Sequence, residues 1–149
     1  YYSPYRTEVY QDQLRAAPDH FEVALNLSVT VTDDDLPETV AAALAPVKSM
    51  LGFYVGGMGA KGQNFHTKLM ARMGFAAEAN QIQDLFLEGR RDEAISAGPD
   101  NVADEISLVG TPERIRDRLA AFEDSPVTML NVAPRSPGQL SQVAEIILG

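Results

Sequence analysis

The chain has 149 residues, a formal net charge of −9 at pH 7 and no cysteine. Its length suffices for one domain with a substantial core, and the lack of cysteine excludes disulfides, thiolate zinc sites and a cysteine nucleophile. The negative charge disfavours binding to nucleic acid or to an anionic membrane surface. No apolar run approaches the roughly 20 residues that span a bilayer, and no signal-peptide pattern opens the chain. We therefore expect a cytoplasmic globular protein.

The N-terminal part of the chain predicts a helix over residues 1–17 and then a strand over residues 21–31. The strand alternates apolar and small or polar residues without interruption. Its apolar face should lie against helices, whereas the other face carries Asn26, Ser28 and Thr30. Burying these groups unpaired would cost about 1–3 kcal/mol each. Two interpretations stay open: the polar face lines the lumen of a barrel, or the strand is antiparallel with a solvated face.

A long helix is predicted to begin at Asp35, which has capping-box spacing to Glu38, and to contain Pro46. A segment with five glycines, residues 52–62, follows it. Its spacing is that of neither a P-loop nor a dinucleotide-binding fingerprint. We predict a loop that touches a ligand or shapes a pocket mouth; the alternative is a connector between helices or a subunit contact. Lys61 could bind an anion there or be a solvated lysine.

The region after the glycines predicts short helices over residues 64–75, 78–88 and 92–97, because apolar residues recur there at helical spacing. A final helix is predicted to start at residues 135–137. Such apolar stripes usually form core packing and are not evidence of a cofactor site.

Residues 106–132 predict a strand, a helix and a second strand. Thr111 is a suitable N-cap and Pro112 fits the first helical position. A short crossover with one helix joins parallel strands in nearly all known proteins. The fold class is therefore predicted to be α/β, with a parallel sheet or barrel covered by helices.

Catalytic motifs are sparse. His20 and His66 are the only histidines, and neither has a partner at metal-ligand spacing, so no metal site is predicted. The sequence contains no nucleophile elbow of the Gly-x-Ser-x-Gly type and no evident pair of carboxylates for acid–base chemistry. From the residues alone, no catalytic residue can be named.

Several segments resemble the C-terminal half of the luciferase-like monooxygenase family, and especially its branch that uses the deazaflavin coenzyme F420. The most specific match is the glycine-rich Tyr-Val-Gly-Gly-Met-Gly motif. The matching segments are Tyr2-Ser3-Pro4, Met50 to Gly59, Ala79 to Phe86, Ser107 to Glu113 and Val127 to Val132.

The resemblance implies a (β/α)₈ TIM barrel with its active site at the C-terminal ends of the strands. It also implies hydride transfer between reduced coenzyme F420, or a flavin such as FMN in other branches, and an organic small-molecule substrate. Residues 1–149 would form a single domain, the C-terminal portion of a longer chain with about three parallel strands. Because three strands cannot close a barrel, we expect a missing N-terminal half, a partner chain or a second copy to cover their edges.

The resemblance favours the lumen interpretation of the polar strand face and places the glycine-rich region beside a substrate or cofactor pocket. Tyr54 and Asn64 could donate hydrogen bonds there, and Met58 could pack on a ring. A non-catalytic half-barrel that serves assembly or ligand binding is the main alternative, and an antiparallel α+β binding domain is the third hypothesis. The pocket candidates are Asn26, Ser28, Thr30, Tyr54, Gly56, Gly57, Met58, Lys61 and Asn64.

Overall fold

The computed structural model describes residues 1–18, 20–132 and 137–149. These residues fold as two compact units. The first, which we call the sheet unit, comprises residues 1–44 and 104–149; the second, the helical unit, comprises residues 45–103. Each unit is described by itself.

The elements follow each other largely as the sequence predicts. In chain order they are a 3₁₀ helix Pro4–Tyr10, α1 Gln11–Arg15, β1 Ala24–Val31, α2 Pro37–Gly57, α3 Phe65–Arg72, α4 Ala76–Leu87, α5 Arg91–Ser96, α6 Asp100–Glu105, β2 Ser107–Gly110, α7 Pro112–Glu123, β3 Met129–Val132 and α8 Pro137–Leu148. Of the predicted start of the last helix, Arg135 and Ser136 lie outside the described residues.

The described strands form one three-stranded sheet in the order β2-β1-β3, and both pairings are parallel. This confirms the predicted α/β class with three parallel strands, and the hypothesis of an antiparallel α+β domain is wrong. The helix of the β2-α7-β3 crossover starts as predicted, because the Thr111 side chain accepts a hydrogen bond from the Arg114 amide. That bond satisfies one of the free N–H groups of the first helical turn.

One face of β1 packs on the core of the sheet unit. Leu27 is buried in a cluster with residues of β2, α7 and α8, and the alternate residues of β1 pack against that cluster. The buried members are Leu27, Leu108, Ile115, Leu119, Phe122 and Ile146, and the partly buried ones on β1 are Leu25, Val29 and Val31. The apolar half of the alternating pattern therefore faces helices, as predicted.

Strand β1 and helix α2 begin later than predicted, and at both starts a side chain forms hydrogen bonds that the sequence did not predict. The strand β1 begins at Ala24 instead of residue 21, since the Val23 amide donates to the Thr128 hydroxyl at 2.9 Å. Helix α2 begins at Pro37 instead of Asp35. The Asp35 carboxylate accepts hydrogen bonds from Thr111 and caps nothing in α2.

The prediction of a loop is wrong for Gly52 to Gly57, which lie inside α2. A Cβ atom on Gly56 would lie 2.5 Å from the Phe86 Cβ, and one on Gly57 would lie 2.5 Å from the Phe86 Cε1. These glycines thus allow α2 and α4 to pack closely within the helical unit. Only residues 58–64 connect the two helices α2 and α3.

Helix α2 also modifies the expectation that no segment of the chain could span a membrane. With 21 residues it is, by length and composition alone, the one helix in the described ranges apolar enough to cross a bilayer. The core helices of soluble proteins pass the same test. Pro46 and Lys48 both lie inside it.

Candidate functional site

The sheet unit presents a row of small polar side chains across its three strands. Registered residues of parallel strands point to the same face of a sheet. Asn26 is in register with Asn131 of β3, and Ser28 with Ser107 of β2. Together with Thr30 these residues form the polar face, on the side of the sheet opposite to the buried Leu27. Its exposed members, Asn26, Ser28 and Asn131, offer hydrogen-bond donors and acceptors to a planar polar group.

Asn131 and Ser107 are members of the polar face that the sequence analysis missed. Each stands at an alternate position in a short strand, so the periodic signal was weak. Aligning the polar positions of the three strands as parallel neighbours would have found both, because Asn26 and Ser28 were already assigned to that face. Asn26, Ser28 and Asn131 are exposed in this chain, Thr30 is partly buried and Ser107 is buried.

The C-terminal ends of β1 and β2 are tied together by one carboxylate. Asp35 accepts hydrogen bonds from the Thr111 amide at 2.9 Å and from the Thr111 hydroxyl at 2.7 Å. The hydroxyl bond and then the amide bond lower the pKa of the Asp35 carboxyl below its ordinary value. Gly110 has a φ of +140°, and a Cβ on it would lie 2.7 Å from the Asp35 Oδ1. The Arg114 Cδ would lie even closer, at 2.6 Å, so the positive φ and the approach of both side chains require glycine here.

Two arginines of α7 brace the segment that enters β2. Arg114 donates to both oxygens of the Asp104 carboxylate, at 3.1 and 2.9 Å, and also to the Val109 carbonyl. Arg118 donates to the Asp104 carbonyl at 2.6 Å. This network ties the start of α7 to the segment that enters β2.

The glycine-region candidates lie in the helical unit and divide into exposed and buried groups. Tyr54 and Met58 are exposed, and the Tyr54 ring contacts the His66 ring edge to face at 4.8 Å. Partial burial lowers the pKa of His66. Asn64 is buried, and its side-chain nitrogen donates to the Tyr54 and Val55 carbonyls at 2.9 and 2.8 Å. Its amide group thus ties the last turns of α2 to the start of α3, where it is the N-cap.

Lys61 and Asn64 are brought together at a cavity of about 200 Å³ in the helical unit. Lys61 pairs with Asp84 at 2.5 Å, and 69% of its side chain is exposed. Gly56, Gly57, Tyr54 and Met58 are not among the residues that line this cavity. The predicted site residues therefore do not form one site. Asn26, Ser28 and Thr30 lie on the polar face, and Lys61 and Asn64 line the cavity of the helical unit. The other four residues of the glycine-rich region line neither.

No cluster of three or more histidine, aspartate or glutamate residues that could hold a metal lies in the described parts of the chain. For a deazaflavin or flavin, the polar face suits the hydrogen-bonding edge of the ring system, because its amides and hydroxyls both donate and accept. Asn26 and Asn131 are its amide-bearing members and Ser28, Thr30 and Ser107 its hydroxyl-bearing ones.

Parallel strands with covering helices and a polar face opposite the core define an α/β protein of the partial-barrel type. Comparison with protein families gives the class more narrowly: residues 4–129 match the luciferase-like monooxygenase family. The chain belongs to this family, and its three parallel strands agree with a partial (β/α)₈ barrel.

A Mycobacterium tuberculosis protein that bears the name of a coenzyme F420-dependent oxidoreductase is 33% identical over 156 aligned positions. The alignment covers 99% of this chain and 44% of that relative. The chain thus spans less than half the length of the curated relative that it matches.

Proposed function

We propose that this chain supplies the C-terminal part of a cytoplasmic F420-dependent oxidoreductase of the luciferase-like family. The polar face carries the proposal, because the neighbouring strands β1 and β3 present exposed hydrogen-bonding side chains in register. Family membership supports the oxidoreductase class, and the name of the Mycobacterium tuberculosis relative supports F420 over FMN. The bound deazaflavin would supply hydride transfer to an organic small-molecule acceptor.

The residues of the polar face would bind and orient the cofactor ring. Asn26 and Asn131 lie in adjacent strands, so their amides can meet neighbouring acceptors and donors on one ring edge. Ser28 and Thr30 continue the same face toward the C-terminal end of β1. Asp35 and Gly110 hold that end of the sheet in place and touch no ligand in this proposal.

The open sheet edges support the proposal that a longer chain or a partner completes the barrel. In the described sheet, β2 and β3 are the edge strands. Beside β3, an apolar groove of about 260 Å³ is lined by residues of β3 and α8, including Leu130, Val132 and Leu140. Unpaired edges and apolar grooves are normally covered in native proteins. We assign the covering role to the N-terminal barrel half that precedes this region in the full-length relative.

The test is a spectroscopic titration of the native polypeptide and of residues 1–149 with F420 and with FMN. We expect the native polypeptide to bind F420 more tightly than FMN. The variants Asn26→Leu and Asn131→Leu should each weaken binding roughly tenfold, the usual effect of a lost ligand hydrogen bond. Asn101→Leu, an exposed residue of α6, is the matched control. Unchanged binding in both polar-face variants, or no binding of either cofactor, would contradict the proposal.

The same open edges favour a second candidate function, a non-catalytic half-barrel that assembles with itself. Light scattering of residues 1–149 distinguishes the two. A tight dimer that is indifferent to F420 and FMN would favour the assembly module, whereas a monomer or an F420-dependent change in mass would favour the oxidoreductase.

A further inference from the structure

The cavity of the helical unit has a buried floor and a charged rim. Asn64, Thr67 and Gln83 form the floor and are buried, whereas Lys61 and Lys68 stand exposed at the rim. The cavity volume of about 200 Å³ is several times the roughly 30 Å³ that one water occupies in the liquid. A single ordered water therefore does not fill it.

Hydrogen-bond accounting leaves one donor of the floor without a partner. Asn64 donates to two carbonyls and accepts from the His66 amide at 2.8 Å. Thr67 donates to the Val55 carbonyl at 2.6 Å. Gln83 is only 2% exposed, and its side-chain nitrogen has no hydrogen-bond partner among the described residues. Buried amide groups almost always have partners in native proteins, so Gln83 calls for an acceptor in the cavity.

A lysine at the rim of the cavity supplies a positive charge near the Gln83 amide. Lys61 is neutralised by Asp84 at 2.5 Å, whereas no ion pair is recorded for Lys68 in the described structure. Lys68 lies on α3, whose side chains reach the cavity from one side, and Gln83 reaches it from α4. In a chain with a net charge of −9, a cationic rim above a buried N–H₂ group marks a local preference for an oxyanion.

We propose that this cavity binds the phosphate group of a small organic ligand, with Gln83 donating to one phosphate oxygen from the floor and Lys68 to another from the rim. The oxygens of a phosphate point in tetrahedral directions, so one phosphate can accept hydrogen bonds from the floor and from the rim at once. A carboxylate group is planar, and its two oxygens point in similar directions. Charge-assisted hydrogen bonds of this kind are stronger than neutral ones. The proposal does not depend on the redox function.

Calorimetric titration of the native polypeptide tests the proposal with three probes: inorganic phosphate, glycerol 3-phosphate and acetate. Both phosphates should bind, and acetate should bind at least tenfold more weakly. Tighter binding of glycerol 3-phosphate than of inorganic phosphate would identify an organic ligand; equal binding would overturn that part of the proposal.

Two variants and a control locate the binding. Gln83→Met keeps the volume but removes the donor, and Lys68→Gln removes the charge; each should weaken phosphate binding roughly tenfold, the usual effect of losing a hydrogen bond to a charged group. Arg72→Gln removes a charge from the same helix α3 at an exposed residue outside the cavity lining and should leave the affinity unchanged.

The proposal fails if none of the probes gives heat, if acetate binds as tightly as phosphate, or if all three variants change the affinity equally. Circular dichroism shows whether Gln83→Met folds. If it does not, the comparison of Lys68→Gln with Arg72→Gln decides, because both residues are exposed on the same helix.

Discussion

The sheet unit and the helical unit are held together by different means. In the sheet unit, large aliphatic side chains and Phe122 fill the space between one face of β1 and two helices. In the helical unit, the Phe86 ring packs closely on Gly56 and Gly57 of α2. The side-chain amide of Asn64 also links α2 and α3 by hydrogen bonds to backbone carbonyls. The first unit is stabilised mainly by apolar volume, whereas the second depends on close approach and on one polar group.

This difference bears on function. The apolar core of the sheet unit uses one face of β1 and leaves the other face to small polar residues. In the helical unit, the side chains of Asn64 and Thr67 donate hydrogen bonds to backbone carbonyls. The Gln83 side-chain nitrogen has no partner among the described residues, and Lys68 lines the same cavity. In each unit, the residues that stabilise the fold are therefore separable from those that we assign to binding.

The largest expected effect is in the core of the sheet unit. Phe122 is 1% exposed, and Phe122→Ala should lower the free energy of unfolding by about 3–5 kcal/mol through lost burial and a cavity. Urea denaturation measures the loss, and hydrogen exchange should rise in residues 1–44 and 104–149. Phe21→Ala is the control, because Phe21 is 54% exposed and its removal should change stability by about 0.5 kcal/mol at most. Equal effects of the two substitutions would refute the assignment of the core.

The second effect tests whether one amide organises the helical unit. Asn64→Ala removes an N-cap and leaves the Val55 and Tyr54 carbonyls without that donor. The Val55 carbonyl keeps the Thr67 hydroxyl as a donor. The expected loss is about 2–3 kcal/mol, from the N-cap and the two lost hydrogen bonds to carbonyls. Asn101→Ala, at an exposed helical position, should be nearly neutral. If hydrogen exchange after Asn64→Ala increased mainly in the sheet unit, the separation of the two units would be wrong.

The sequence predicted the sheet unit well because its signals are local and periodic. The alternation in residues 21–31 and the Thr111-Pro112 helix start each follow from the residues themselves. The short crossover predicted parallel strands, which the structure contains, whereas the alternation in residues 21–31 left an antiparallel strand open. The register between strands cannot be predicted from each strand separately. Ser107 and Asn131 were therefore not recognised as members of the polar face.

The helical unit was less predictable, because tertiary packing decides whether its glycines lie in a loop or in a helix. Five glycines in eleven residues suggest a loop when read locally, since glycine weakens a helix by roughly 1 kcal/mol relative to alanine. Gly56 and Gly57 instead lie inside a helix. They are glycines because Phe86, about thirty residues away along the chain, fills the space that a side chain would take. Gln83 gave no signal in the sequence, because burial without a partner is visible only in three dimensions.

The third prediction addresses that packing directly. A Cβ on Gly56 would lie 2.5 Å from the Phe86 Cβ, an atom fixed to the α4 backbone. Gly56→Ala should therefore force α2 and α4 apart and cost about 1–3 kcal/mol, despite the better helix propensity of alanine. Gly138→Ala is the matched control: no described residue lies within 4 Å of its Cβ position, and it should be neutral or stabilise the chain by about 0.4–1 kcal/mol. Thermal melting that ranked the two in the opposite order would refute the close approach.

The smallest effect concerns pH and the strand ends of the sheet unit. Hydrogen bonds from Thr111 lower the pKa of Asp35 below its ordinary value of 3.8. A group whose pKa is lowered in the folded state adds stability above its unfolded pKa and loses it as the pH falls through the folded value. Asp35→Asn keeps an oxygen that can accept from the Thr111 amide but removes the charge. It should therefore lose this contribution near pH 7 and make the loss of stability below about pH 4 shallower.

Urea denaturation between pH 7 and pH 2 measures that slope, with Asp33→Asn, an exposed neighbour, as the control. Identical acid slopes for the native chain and Asp35→Asn would show that the carboxylate contributes no charge-dependent stability. A shallower slope in Asp35→Asn alone would instead mean that the carboxylate fixes the C-terminal ends of β1 and β2, and with them the edge of the polar face.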